Sequence, residues 1–362
     1  MQPRMRAAHF CFDKAVHSRC TGGREVPRPE VCGASVDDHL ESMRGIMKRT
    51  LGLGLSVLWL ATGSALWAQS RIPAEYRING FAIGCQAYSF NRFSVFEAIE
   101  KTAQAGAKVI EFYPGQKLSR EEPSLTLDHN ASGDVLAKVK AKLKEHGILA
   151  ANYGVVGLPN NEAESRKVFE FARKMGIPAV TSEPSPDAMD LIERLVKEYD
   201  IQVGIHNHPR RPNDPNYKVW DPAYVLSMVK DRDRRIGAAA DTGHWLRSDL
   251  QPIEALRLLE GRLISLHLKD LNQMGPSAHD VPYGMGVANV RGILMELHRQ
   301  NFDGNISIEY EYNWDNSVPE IAQCIGFVRG FGGAAGPRRA IRDTLRIPGG
   351  QAPVEKPVSP TR

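Results

Sequence analysis

Between residues 81 and 331 the chain alternates eight short apolar runs with amphipathic stretches, and this rhythm limits the fold more than any other feature. The apolar runs are 81–88 (FAIGCQAY), 108–113 (KVIEFY), 147–153 (GILAANY), 177–183 (IPAVTSE), 201–207 (IQVGIHN), 235–241 (RIGAAAD), 262–268 (RLISLHL) and 305–311 (NISIEYE). Helical periodicity falls at 94–105, 134–146, 162–175, 187–199, 221–230, 252–260, 288–300 and 318–330. Gly106, Gly147, Gly176, Gly261 and Gly304 stand where helix C-caps belong. Eight β–α units in about 250 residues predict a single-domain (β/α)8 TIM barrel of the α/β class. A doubly wound open sheet would carry a glycine-rich phosphate loop after its first strand, and the segment after Tyr88, SFNRFS, has none.

The flanks read differently. Residues 51–68 run eighteen positions without a charge, follow Lys48 and Arg49, and end on Ala68. That is the pattern of a secretory signal peptide over 43–68, starting at Met43 or Met47. A single membrane anchor is the alternative, but eighteen residues with three glycines are short for a span. Residues 1–42 have no apolar period and read as a mis-annotated leader. The stretch 332–362 is rich in Gly, Pro and Arg and predicts a flexible tail. The expected location is periplasmic or secreted, without stable membrane insertion once the signal is cleaved.

Removing 1–68 also changes the charge. The full chain carries 46 basic and 42 acidic residues; nine and six of these lie in 1–68, which leaves 37 against 36, a formal charge of +1. A nearly neutral barrel is not the profile of a nucleic-acid binder. Of five cysteines only Cys85 and Cys324 remain. An oxidising compartment would permit a bridge between strand one and the last helix, but two separate buried thiols are the expected state.

In a (β/α)8 barrel the chemistry sits at the C-terminal ends of the strands. Those ends carry Glu111, Glu183, His206 with His208, Asp241 with His244, His267 with Lys269, and Glu309 with Glu311. Side chains alternate along a strand. Leu263, Ser265, His267 and Lys269 therefore share one face and Ile264, Leu266 and Leu268 the other. Ser307, Glu309 and Glu311 oppose Ile306, Ile308 and Tyr310, and Gln202, Gly204, His206 and His208 oppose Ile201, Val203 and Ile205. The polar faces share one phase and would line the barrel mouth. Mixed carboxylate and imidazole groups from separate strands suit one divalent metal ion, with Mn²⁺ ahead of Mg²⁺, Co²⁺ or Zn²⁺.

DTGHW (241–245), HLKD (267–270), the D-V-P-Y-G-x-G loop at 280–286 and IEYE (308–311) together resemble the xylose isomerase-like TIM barrel superfamily, often labelled sugar phosphate isomerase/epimerase, over about 81–331. Within it the chain is similar to an inosose dehydratase-like or hydroxypyruvate isomerase-like branch. The resemblance implies metal ligands at Asp241, His267 and Glu309. The fourth lies between Glu183 and His206, and the inosose dehydratase-like branch favours Glu183. Ketose epimerases of the superfamily use two metal-bound glutamates as acid and base; His206 stands where one of them is expected, so a histidine enters the proton chemistry here.

The implied reaction is proton abstraction next to a carbonyl through an enediolate, in a metal-dependent sugar isomerase or epimerase. Loss of a β-substituent, as in a lyase or dehydratase acting on a 3-keto-glycoside or inosose, is the runner-up. A catalytically silent carbohydrate-binding barrel is the non-enzymatic alternative. His206, Glu309 and Glu183 are the candidate acid–base residues. Glu111, His208, His244, Lys269, Trp245 and His279 are the candidate substrate contacts, with Glu111 equally placed as a structural partner and Trp245 as a packing residue. His279 and Asp280 lie in a loop that would form a lid. Export argues for a neutral small-molecule sugar or cyclitol rather than a phosphorylated one. An AP endonuclease-type site would need histidines on strands two and three, where Glu111 and Tyr153 stand. A homo-oligomer remains open.

Overall fold

The computed structural model describes residues 71–334. The expected leader, the expected signal peptide and nearly all of the expected tail lie outside these residues. Among the described residues no helix is long and apolar enough to cross a membrane.

Eight parallel strands close into a barrel: β1 (Ala82–Gln86), β2 (Val109–Phe112), β3 (Leu149–Tyr153), β4 (Ala179–Ser182), β5 (Gln202–His206), β6 (Ile236–Asp241), β7 (Leu263–Leu268) and β8 (Asn305–Ile308), with β8 pairing back onto β1. Around it run α1 (Val95–Gln104), α2 (Gly133–His146), α3 (Glu162–Met175), α4 (Met189–Tyr199), α5 (Pro222–Val229), α6 (Thr242–Arg247), α7 (Pro252–Leu258), α8 (Val290–Arg299) and α9 (Val318–Ala334). The TIM barrel expected from the strand–helix rhythm is the fold observed.

Local chemistry explains the boundaries. Ser94 caps α1, and Glu97 returns the hydrogen bond to the Ser94 backbone, a full capping box. α2 and α3 end on left-handed Gly147 and Gly176, as expected. Gly304 has another purpose. The left-handed residue after α8 is Asn301 (φ 52°), whereas a Cβ on Gly304 would lie 1.9 Å from the Ile264 carbonyl oxygen. Glycine is needed there so that the chain can enter β8 close against β7. α9 also runs three residues past the expected edge of the core, to Ala334.

The aliphatic faces pack as their alternation requires. Ile83, Val203, Ile205, Leu266, Leu268, Ile306 and Ile308 are fully buried in the layer between strands and helices. Each contributes roughly 1.5–3 kcal/mol of transfer free energy. Ile72, Ala82, Val109 and Ala151 form a separate small cluster at the N-terminal end of the barrel. Cys85 and Cys324 are free and buried, in line with the two-thiol expectation; burial pushes the Cys85 thiol up to about 12, so it is inert.

Register decides what the mouth contains. Asp241 pairs with His267, His267 with Ser307, His206 with Ala239 and Gln86 with Glu111. The expected polar residues of five strands thus reach a common level.

Candidate active site at the C-terminal rim

The site has two flanks. On the β6–β8 side Asp241 ends its strand and caps α6: Oδ1 accepts the His244 backbone N–H at 2.7 Å. This fixes the carboxylate and leaves Oδ2 facing the barrel axis. That oxygen is 3.1 Å from Lys269 Nζ, 3.4 Å from His244 Nε2 and 3.8 Å from both His206 Nε2 and His267 Nδ1. None of these contacts is directed as a hydrogen bond, and Asp241 Oδ2 and both His267 nitrogens are buried without a hydrogen-bond partner among the described residues. Lys269 Nζ also reaches Glu309 Oε2 at 2.8 Å and Glu311 Oε2 at 2.6 Å. It therefore lies beneath the cavity, clamped by three carboxylates, and not among its lining residues as a sugar contact would.

His267 is held from below. Its Nε2 is 3.1 Å from Glu111 Oε1, and its Nδ1 is 3.2 Å from Glu309 Oε2. Glu111 is fully buried and accepts hydrogen bonds from Ser307 Oγ at 2.6 Å and Asn305 Nδ2 at 3.4 Å. It is not among the residues that line the cavity above the site.

On the β4–β5 side Glu183 follows β4 directly. Its Oε1 is 3.2 Å from His206 Nδ1, contacts His208 Nδ1 closely, and accepts from the Tyr217 hydroxyl at 3.1 Å. The same hydroxyl accepts the His208 backbone N–H at 2.9 Å. His206 is buried with Nε2 unpartnered, whereas the His208 side chain is 41% exposed.

Electrostatics separates the flanks. For Asp241 and Glu309 burial opposes ionisation, but His244 and Lys269 around Asp241, and Lys269 and His267 around Glu309, hold both carboxyls well below the usual range. Burial likewise opposes charge on Lys269 and His267, and the surrounding carboxylates override it and raise both. His244 is held well below its ordinary value, first by burial, and stays neutral. On the other flank burial would raise Glu183, but His206 and His208 bring it down to about 2. Asp280 goes the other way: burial raises it to about 7 against Lys269 and Arg247.

Above both flanks opens a cavity of about 340 Å³ lined by His206, His208, His244, Glu309 and Glu311, with Gln86, Tyr88, Tyr113, Pro114 and Val155 opposite. Two expected contacts lie elsewhere. Trp245 packs in the hydrophobic core and is 1% exposed, because α6 turns its indole inward beneath the rim. His279 stacks on Tyr312 at 4.5 Å, outside the lining. Its loop is pinned: Asp270 accepts the backbone N–H groups of Gly284, Gly286 and Ala288, and Asp280 is buried against Arg247 and Glu311. The aromatic wall was not anticipated, although Tyr88 shares the face of Gln86 in the first apolar run. Tyr217 and Arg247 carry no periodic signal that would have found them.

The donor chemistry fits a divalent ion. Three overlapping groups offer ligand atoms within 4.8 Å of one another: Glu183–His206–His208, His206–Asp241–His267 and Asp241–His244–Glu309. The central group is fully buried, and its Asp241 Oδ2, His206 Nε2 and His267 nitrogens lack hydrogen bonds. Their contacts with one another and with Lys269, Glu111 and Glu309 are ion pairs without hydrogen-bond geometry, and a cation bound between them would satisfy them together. Of the two candidates for the fourth ligand, His206 shares a group with Asp241 and His267, and Glu183 shares one with His206 and His208.

A family model described as xylose isomerase-like TIM barrel matches residues 99–329. The chain belongs to this family. A solved structure of an uncharacterised protein from Parabacteroides distasonis is 33% identical, covers 69% of this chain and 99% of its own, and superposes with a TM-score of 0.57. L-ribulose 3-epimerase is 15% identical, with 73% and 98% covered and a TM-score of 0.53. A protein described as the probable 3-DHS dehydratase of petrobactin synthesis in Bacillus anthracis is 12% identical, with 67% and 97% covered and a TM-score of 0.50. The last two likenesses are of fold. A search of the curated proteins found no match.

Proposed function

We propose that this protein is a divalent-metal-dependent sugar isomerase or epimerase acting on a neutral keto-sugar or cyclitol by removing a proton next to a carbonyl. The observation that carries this reading is the convergence of Asp241 Oδ2, His206 Nε2 and His267 Nδ1, buried and without hydrogen bonds, directly under an open cavity. These three and Glu309 would hold the ion. A bound divalent ion would polarise the substrate's carbonyl and hydroxyl oxygens and stabilise the charge that develops there.

The chain's own groups divide the remaining work. Glu183, tied to two imidazoles and the Tyr217 hydroxyl, serves as an anchor. It occupies Nδ1 of His208, which leaves Nε2 of that half-exposed ring to exchange a proton with a substrate in the cavity. Glu309, on the opposite wall, is the second proton carrier. Neutral His244 is oriented by Arg247 Nη1, 3.2 Å from its Nδ1, so its Nε2–H is a donor. Lys269 keeps Asp241 and Glu309 ionised.

The expected export favours a neutral substrate, and the cavity wall carries the carboxylates of Glu309 and Glu311 and no lysine or arginine. The unlike pair of His208 and Glu309 also suits β-elimination, in which one group removes a proton and the other protonates a leaving oxygen; this is the second reading. The test is NMR in D₂O with purified protein, Mn²⁺ and a panel of keto-sugars, alongside elemental analysis. Deuterium at the α-carbon that requires bound metal supports the proposal. Sugar binding with no exchange at any metal load would overturn it in favour of a binding barrel.

A further inference from the structure

The cavity does not end at the catalytic wall. Tyr113 is shared between the 340 Å³ cavity and a second concavity of about 610 Å³, which runs outward between the β1–α1 and β2–α2 loops. Tyr88 sits at this junction, 40% exposed, with Tyr113 at 5.2 Å and Trp314 at 5.9 Å, both edge-on. None of the three belongs to the proton-transfer machinery described above. Exposed Tyr88 and half-buried Tyr113, backed by half-buried Trp314, offer at the seam of two polar concavities an aromatic surface that matches one face of a pyranose ring, which is apolar C–H, while the ring's edge is hydroxyl.

The outer concavity has the polar groups such an edge requires. It is lined by Asn91, Arg92, Gln116, Lys117, Ser119 and Arg120, among others. Gln116 is 3% exposed; its Nε2 donates to the Phe90 and Phe93 carbonyls, and its Oε1 has no hydrogen-bond partner among the described residues. The arginines do not create an anion site: Arg92 is paired with Asp315 at 2.7 Å, and Arg120 is tied to Glu97 at 2.8 Å.

We infer that the outer concavity is a subsite for a second sugar ring, so that the substrate class is a two-ring glycoside whose reacting ring lies over His206 and Glu309 and whose second ring packs at Tyr88 and Tyr113. This rests on the sugar reading above, but its test does not depend on turnover. Glucose, sucrose, trehalose, maltose and cellobiose would be titrated against the purified protein by calorimetry or ligand-observed NMR. At least one two-ring sugar binds about tenfold more tightly than glucose, and Tyr113→Ala brings that ratio close to one while Tyr113→Phe preserves it. If Tyr113→Ala does not fold, Tyr88→Ala at the exposed junction gives the same comparison. Two-ring sugars binding no tighter than glucose, absence of binding by all five, or a ratio unchanged in the alanine variants would each overturn the inference. Failure of the isomerase reading would show separately, as absence of deuterium exchange with a two-ring preference intact.

Discussion

The two flanks of the rim use the same residue types in opposite ways. On the β6–β8 side Asp241, His267 and Glu309 are packed around a permanent cation, Lys269, and almost no surface reaches the cavity. On the β4–β5 side Glu183 is surrounded only by the titratable His206 and His208 and the Tyr217 hydroxyl. A carboxylate beside a fixed charge stays ionised; one beside imidazoles sits in a network whose protons can move. In the proposed reading the first flank holds charge and lends Glu309 to proton transfer, and the second contributes His208.

Asp241→Asn or His267→Gln would test the first flank most severely. Either removes a central donor, and metal content and α-proton exchange fall together by about 10³-fold or more. An active variant with no metal, assayed by elemental analysis and deuterium uptake, would erase the distinction. On the second flank Glu183→Gln keeps the metal but loses about 10²-fold in exchange, because His206 and His208 lose their common anchor; equal loss of metal would merge the two flanks. Glu111→Gln lies between them. It weakens metal affinity about 10- to 100-fold by freeing the His267 ring, read by competition with a metal indicator.

Asp280 sharpens the comparison through pH. Its carboxyl is raised from 3.8 to about 7 in the fold, so the folded state prefers it protonated. Its contribution to stability is complete below about pH 4 and is lost as pH rises toward 7, a few kcal/mol at most. Asp280→Asn removes that slope, and denaturant melts of both proteins between pH 4 and 8 would show two curves of different steepness; parallel curves would contradict it. The smallest effect belongs to the far end of the barrel. Arg71→Ala breaks an exposed pair with Asp200, costs under about 1 kcal/mol and leaves exchange unchanged.

How much of this was legible beforehand varies by element. The barrel followed from strand and helix periods, because both record which face is buried. Asp241, His267, Glu309 and His206 were found because inward alternation places them at strand ends. α6 was missed, since six residues after a strand carry no measurable period and its cap, Asp241, reads as a strand end. Trp245 read equally as a rim aromatic or a packing residue because the direction of a turn is not encoded in spacing. Tyr217 and Arg247 reach the site from a loop and from that short helix.

The sequence by itself determined the barrel, the family and the set of inward polar residues, since these depend on local period and residue type. The tertiary structure decided their partners. It placed Lys269 under Asp241 and Glu309 as a charge clamp, Glu111 behind His267 and Glu183 between two histidines. Such partnerships depend on strand register and barrel closure, which bring residues far apart in the chain into contact, as with Glu111 and Ser307 at 2.6 Å. Desolvation at that depth then fixes which groups carry charge.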